Sequence, residues 1–253
     1  MTLFDLTGRT AIITGSSRGI GRAIAERMAE HGARVVISSR KAEACEATAR
    51  AIDAAWPGQA IAVPASISSK ADLQRLVDTT RERFGPADIL VCNAASNPVY
   101  GPMADLDDAT FRKVLDNNVV ANHWLIHMAA PEMKARGGGA IVIVSSTAGL
   151  RGTPVLGAYA ISKAADMQLV RNLAHELSPH NIRVNCIAPG LVKTDFAKAL
   201  WDTPEAEQRS SRDTPLRRLG EPDDIAGAAV FLASRAGGWM TGQSIVIDGG
   251  HTA

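Results

Sequence analysis

At 253 residues, 46% hydrophobic and 21% charged, the chain has the size and make-up of one large water-soluble domain with a substantial core. Its 27 basic and 26 acidic residues leave a net charge of +1, so the overall charge favours neither nucleic acid nor a membrane surface as a partner. Cys45, Cys92 and Cys186 are far apart with no C-x-x-C spacing, which argues against a disulfide framework and fits a reducing, cytoplasmic setting.

No run approaches the ~18 apolar residues of a membrane span. The opening segment MTLFDLTGRT lacks the charged start and apolar middle of a secretory signal. The closing His251-Thr252-Ala253 carries no targeting address. A cytoplasmic protein without a membrane partner is the expectation.

Thr10 to Thr14 (TAIIT) is a short apolar run, expected as a strand buried on both faces. It leads into GSSRGIG and then a helical pattern from Ile20 to His31, closed by Gly32. Arg34 to Ser38 is the next strand. Strand, glycine turn, helix and strand form a βαβ crossover, which makes the two strands parallel. The alternation continues with a helix over Lys41 to Ala55 and a strand over Ala60 to Val63. A capping box at Ser69 to Asp72 opens a helix ending near Phe84, and Ile89 to Cys92 is the fourth strand. Asp107 to Arg136 holds one or two helices, and the glycines at 137–139 precede a strand over Ala140 to Ser145. Thr153 to Leu177 reads as one long helix, with Pro154 at its first position and Ser178-Pro179 as its stop. A strand at Arg183 to Ala188, a helix after Pro222 and a strand at Ser244 to Ile247 complete the pattern. This predicts a single α/β domain over 1–253: a doubly wound, Rossmann-like parallel sheet of about seven strands with helices on both faces.

Gly15, Gly19 and Gly21 lie where the first strand meets its helix, in the spacing G-x-x-x-G-x-G. A dinucleotide pyrophosphate needs such a turn, because glycines allow close backbone approach and the helix N-terminus offers free N–H groups. The same stretch, Gly15-Ser16-Ser17-Arg18-Gly19, matches the hydrolase pattern G-x-S-x-G. Only sixteen residues precede Ser17, too few for the strand and loop that would supply an oxyanion donor. The second strand ends at Ser38-Ser39-Arg40. An NAD site places an acid there to bind the ribose 2′-OH. Here Ser39 holds the position, Arg40 follows it, and Arg18 projects from the glycine turn. Two guanidiniums suit the 2′-phosphate of NADP, and no acid is expected beside them. NADP(H) is therefore favoured, with NAD(H) left open.

Tyr159 and Lys163 are four apart, on one face of the long helix. A free tyrosine hydroxyl ionises near ~10, and a neighbouring ammonium favours the phenolate. A tyrosine tuned this way would pass a proton to or from an alcohol or carbonyl oxygen.

Taken together, these residues resemble the short-chain dehydrogenase/reductase family, of the classical type. Thr14-Gly15-x-x-x-Gly19-x-Gly21 is similar to its cofactor loop, which also takes in Ser17, Arg18 and Ile20. Asn93-Ala94-Ala95 resembles the family's N-N-A-G segment, with Cys92 and Ala95 replacing its first Asn and its Gly. Ser66-Ile67 stands where many members carry an Asp that contacts adenine. Asn118 in LDNNVV resembles the catalytic Asn, preferred to Asn117 because Val119 follows it. Ser146, thirteen residues before Tyr159, resembles the catalytic Ser, and Tyr159-x-x-x-Lys163 the catalytic core. Pro189-Gly190 resembles the P-G turn, with Val192 and Thr194 where the nicotinamide carboxamide is held.

The resemblance implies hydride transfer between a nicotinamide cofactor and a small-molecule carbonyl or secondary alcohol. It gives Tyr159 the general acid and base role, Lys163 the ribose hydroxyls, Ser146 the substrate oxygen and Asn118 a relay water. It also implies a mobile lid over Leu191 to Thr214, whose Phe196, Leu200 and Trp201 would meet an apolar substrate. A homotetramer paired across the helices of His123 and Tyr159 is implied by analogy. A 3-oxoacyl thioester reductase is the alternative reading. A non-catalytic nucleotide-binding regulator is a third, against which the four catalytic residues argue. His123 and His127 have possible metal spacing but no third ligand in sequence, so packing or interface roles are expected and no metal. Arg151 near Ser146 is weighed as a carboxylate anchor and placed below a surface role.

Overall fold

The computed structural model describes residues 2–253. Its strands are β1 (Thr10–Thr14), β2 (Arg34–Ser38), β3 (Ala60–Ala62), β4 (Ile89–Cys92), β5 (Gly139–Val144), β6 (Ile182–Pro189) and β7 (Ser244–Ile247). They form one sheet in the order β3-β2-β1-β4-β5-β6-β7, parallel throughout. The chain begins at the middle, winds outward through β2 and β3, and returns across β1 to build the other half from β4. Where the winding reverses, the loops after β1 and β4 diverge and leave a crevice at the carboxyl ends of the strands.

Helices α1 (Gly19–Glu30), α2 (Ala42–Ala55) and α8 (Pro222–Ala233) cover one face of the sheet, and α3 (Lys70–Phe84), α5 (Ala121–Ala135) and α6 (Gly157–Leu177) cover the other. Strand side chains alternate between the two layers: Ile12 packs with Leu73, Leu125 and Val170, whereas Ala11 and Ile13 pack with Ile24 and Ala226. This is why β1 reads as a continuous apolar run, since all five residues are buried.

Two expectations need correction. The long helix begins at Gly157 rather than Thr153. The Gly101 N–H donates to the Val155 carbonyl at 3.0 Å and Gly101 bridges to Leu156, which holds this stretch outside the helix. Pro154 therefore lies in a loop that meets the segment after β4. The capping box at Ser69 is half made. The Ser69 hydroxyl accepts from the Asp72 N–H at 3.1 Å, but the Asp72 carboxylate accepts from the Ser66 N–H at 2.9 Å. That bond fixes the loop after β3 instead of closing the reciprocal cap.

The region from Asp107 to Arg136 holds α4 (Asp108–Leu115), a π-turn (Asp116–Val120) and α5 in unbroken succession. The wide turn falls at Asn117 and Asn118, beside the crevice, with Asn117 lining it and Asn118 buried behind. One extra residue in the turn releases main-chain groups from the helical ladder. The segment after β6 contains a 3₁₀ stretch (Asp195–Leu200) and helix α7 (Pro204–Arg212), capped by the Thr203 hydroxyl.

Candidate active site

The crevice is a cleft of about 600 Å³ running from the glycine turn to Tyr159. Gly15 and Gly19 have φ of +66° and +56°, a region open to glycine at low cost. Gly21 is needed for space, because a Cβ there would lie 2.5 Å from the Gly15 carbonyl and the Asn93 amide nitrogen. The turn is also clamped from β4. The Asn93 side-chain N–H groups donate to the Thr14 and Gly15 carbonyls at 2.9 and 3.2 Å. The Thr14 hydroxyl accepts the Asn93 and Ala94 N–H groups at 3.0 and 3.1 Å. Asn93 thus shapes the glycine turn with its amide while also lining the cleft.

Helix α1 starts at this turn with no side-chain cap and no acid in its first turn. Its first N–H groups and the positive end of its dipole face the cleft, which is what a pyrophosphate requires. At the far end of β2, the Ser39 hydroxyl donates to Ser17 at 2.9 Å, and Arg40 and Lys41 line the cleft wall. Lys41 is a cation that the sequence reading left out, although it directly follows Arg40. Ser66 and Ile67 line the adjoining wall. One expectation is overturned here: an acid does stand beside Arg18. Its guanidinium pairs with the Asp195 carboxylate at 2.8 Å, across 177 positions of sequence. Both side chains are more than half exposed, so the pair is weak.

At the other end, Tyr159 lies on the first turn of α6 and Lys163 one turn later. The lysine is buried, 2% exposed, with its ammonium 5.7 Å from the Tyr159 ring centre. It donates to the Val144 carbonyl at 2.8 Å and to the Asp166 carboxylate at 3.1 Å. Burial pushes its pKa down, but the Asp166 charge and the Tyr159 oxygen outweigh that and hold the pKa above the usual lysine value. Phe196, from the segment after β6, lies tilted against Tyr159 with ring centres 5.9 Å apart. Pro189 and Thr194 line the cleft, whereas Val192 is buried behind it and Gly190 packs on Asp248.

The two other predicted catalytic residues differ in exposure, Ser146 being half-buried and Asn118 buried. The Ser146 hydroxyl accepts from the Ala148 N–H at 3.1 Å, and Ser145 is the serine that lines the cleft, its hydroxyl donating to the Lys163 carbonyl at 2.8 Å. Asn118 is fully buried. Its side-chain oxygen accepts from the Ser96 N–H at 2.8 Å, and its amide donates to the Ser96 carbonyl and the Ser162 hydroxyl at 3.0 Å each. Asn117 and Lys113 line the cleft instead. Asn117 lies in the π-turn, which periodicity does not report.

Elsewhere, the His123 and His127 rings lie tilted with centres 4.1 Å apart on α5, and no group of three metal-binding side chains occurs among the described residues. Arg151 contacts His251 at the surface, outside the cleft lining. No helix among the described residues is long and apolar enough to cross a membrane.

The glycine turn, the uncapped helix and the buried Lys163 beside Tyr159 fit a bound dinucleotide, so relatives become informative. Residues 15–252 match the family model described as Enoyl-(Acyl carrier protein) reductase. Dehydrogenase/reductase SDR family member 4 of Mus musculus is 42% identical over 248 residues, covering 97% of this chain and 88% of that protein. A 7 alpha-hydroxysteroid dehydrogenase, solved with NADH and 7-oxo glycochenodeoxycholic acid, superposes with a TM-score of 0.93 at 42% identity, covering 98% of this chain and 96% of that one. A gluconate 5-dehydrogenase from Burkholderia cenocepacia J2315, solved with NADP and tartrate, has a TM-score of 0.93 at 32% identity, covering 99% and 97%. The chain belongs to the short-chain dehydrogenase/reductase family and is a nicotinamide-dependent oxidoreductase acting on CH–OH or C=O groups.

Proposed function

We propose that the protein reduces a carbonyl, or oxidises the matching secondary alcohol, with NADP(H) favoured as cofactor and Tyr159 as the proton carrier. The observation that carries this reading is the buried Lys163 ammonium 5.7 Å from the Tyr159 ring, at the mouth of a cleft that begins at an uncapped helix. The nicotinamide, when bound, supplies or accepts the hydride. The chain's own residues do the rest. Tyr159 donates a proton to the substrate oxygen in reduction and removes it in oxidation. Lys163 holds positive charge beside it and would bind the ribose hydroxyls of the cofactor. Ser146 orients the substrate oxygen, and Asn118 supports the proton path.

The NADP preference is supported by Arg40 and Lys41 on the cleft wall and by Ser39 in place of an acid. Arg18 joins them, because its exposed pair with Asp195 is weak enough for a phosphate to replace. NAD(H) remains the second cofactor, in keeping with relatives solved with either dinucleotide. Phe196, Tyr100, Met103, Leu150 and Leu216 are exposed on segments following β4, β5 and β6, which favours an apolar substrate body over a small sugar acid. Assembly as a homotetramer across α5 and α6 belongs to the same reading.

The test follows NADPH and NADH absorbance in parallel with a panel of ketones and acyl thioesters. Tyr159→Phe is expected to lose at least ~10³-fold in kcat while cofactor still binds. Arg40→Asp should raise the KM for NADPH far more than that for NADH. Turnover by Tyr159→Phe within tenfold of wild type would remove Tyr159 from the chemistry, and an unchanged KM ratio would remove Arg40 from cofactor choice.

A further inference from the structure

Asp166 lies one turn beyond Lys163 on α6 and is fully buried. A carboxylate in a core is costly to desolvate and persists only with well-placed partners. Asp166 has two. One oxygen accepts from the Lys163 ammonium at 3.1 Å, and the other accepts from the Asn122 amide at 3.1 Å. The same Asn122 nitrogen donates to the Asn118 carbonyl at 2.7 Å, and Asn118 in turn holds Ser96 and Ser162. A continuous buried chain of hydrogen bonds therefore runs Lys163–Asp166–Asn122–Asn118, tying the long helix to the π-turn.

We propose that Asp166 is a positioning residue for the reaction: a built-in counter-ion that aims the Lys163 ammonium and tempers how much of its field reaches Tyr159. This rests on the reading of Tyr159 as the proton carrier. Lys163 needs such a partner, because its one other hydrogen bond is to the Val144 carbonyl and all but its edge on the cleft is buried. The carboxylate also has a cost for catalysis. Its negative charge cancels part of the positive field at the phenol, so the pH at which oxidation begins is higher than a lone lysine would give.

The groups facing this pair are few. Tyr159 lies on α6 itself, Cys92 on β4 and Cys186 on β6, while α5 and the π-turn contribute the neutral Asn122 and Asn118. Burial pushes both thiols above the usual cysteine value, Cys186 to about 11, so neither titrates near neutral pH. Burial likewise pushes Asp166 up, opposed by its bonds to Lys163 and Asn122. The two thiols therefore add no charge change of their own beside the Lys163–Asp166 pair near neutral pH.

The experiment compares Asp166→Asn with wild type in alcohol oxidation, from about pH 5 to 10, alongside NADPH binding by fluorescence. Removing the negative charge while keeping the shape should move the rising limb of kcat to lower pH, by on the order of one unit. NADPH affinity should stay within about threefold of wild type. An unmoved profile, with or without a fall in kcat, would reduce Asp166 to packing and overturn the proposal. Should the variant fail to fold, Asp166→Ala is scored on the same limb, and the wild-type protein gives a readout of its own. Nitrogen-15 spectra should show the Lys163 side chain as a slowly exchanging ammonium at neutral pH, and a neutral amine there would overturn the proposal. Failure of the Tyr159 reading appears separately, as turnover by Tyr159→Phe, and leaves the Lys163 spectrum untouched.

Discussion

Gly21 constrains the site by volume rather than by backbone angle. It lies in the first turn of α1, and the space its side chain would fill already holds the Gly15 carbonyl and the Asn93 amide, each 2.5 Å from the added carbon. Gly21→Ala must push the glycine turn away from β4 and break the Asn93 clamp. We expect a loss of about 1–3 kcal/mol in stability, the cost of overpacking a tight site. Cofactor affinity should weaken with it, and urea melts with and without NADPH check both. Asn93 lines the cleft where its place in the sequence puts it, and it also shapes the glycine turn. Its place after β4 was legible from sequence, but its amide is spent on the Thr14 and Gly15 carbonyls. Which hydrogen bonds a side chain has left to offer depends on neighbours 78 and 79 positions away.

At the scale of elements, two helix caps of similar chemistry should behave differently when removed. Ser69 caps α3, whose Leu73, Leu76 and Val77 are buried in the main core. Thr203 caps α7, which buries no residue fully. Each hydroxyl accepts one N–H of the first turn, at 3.1 Å from Asp72 and 3.2 Å from Ala206. Ser69→Ala should cost about 1 kcal/mol of global stability in chemical denaturation. Thr203→Ala should leave the global transition unmoved and instead speed hydrogen exchange in α7, because that helix opens on its own. The π-turn between α4 and α5 is the element that sequence did not disclose. A five-residue stretch of wider pitch leaves apolar periodicity nearly intact, yet it turns Asn117 toward the cleft and Asn118 into the core.

Across the whole molecule, charged side chains tie together segments that the sheet alone would leave apart. Arg218 holds Asp224 at the start of α8 with contacts of 2.6 and 2.8 Å. The Arg218 hydrogen bond, helped by the Glu221 N–H, lowers the Asp224 pKa from 3.8 to about 2. A carboxyl whose folded pKa lies below its unfolded value stabilises the fold at higher pH. That contribution is lost as pH falls from about 3.8 toward 2. Urea midpoints measured across this window should fall with pH, and Asp224→Asn should flatten part of the slope. The pair is partly exposed, so the effect is modest and screened by salt. On the opposite flank, the buried Asp88 accepts from Arg9 and Arg136 at 3.1 Å and from the Thr10 N–H at 2.9 Å, joining the entry of β1 to the end of α5.

Linear order was enough for the alternation of strands and helices, the parallel sheet, the place of the glycine turn and the pairing of Tyr159 with Lys163, because each depends on local periodicity or on residues a few positions apart. Tertiary contact decided the rest. Helix α6 starts late because Val155 and Leu156 meet Gly101, and Arg18 finds an acid because the segment after β6 folds back over the first turn. Asp166 reads in sequence as one more helical residue, and only the closing of α5 against α6 brings it between Lys163 and Asn122, far from water. Hydrophobic period is written into the chain, but burial of a charge and the identity of its partner exist only once distant segments pack.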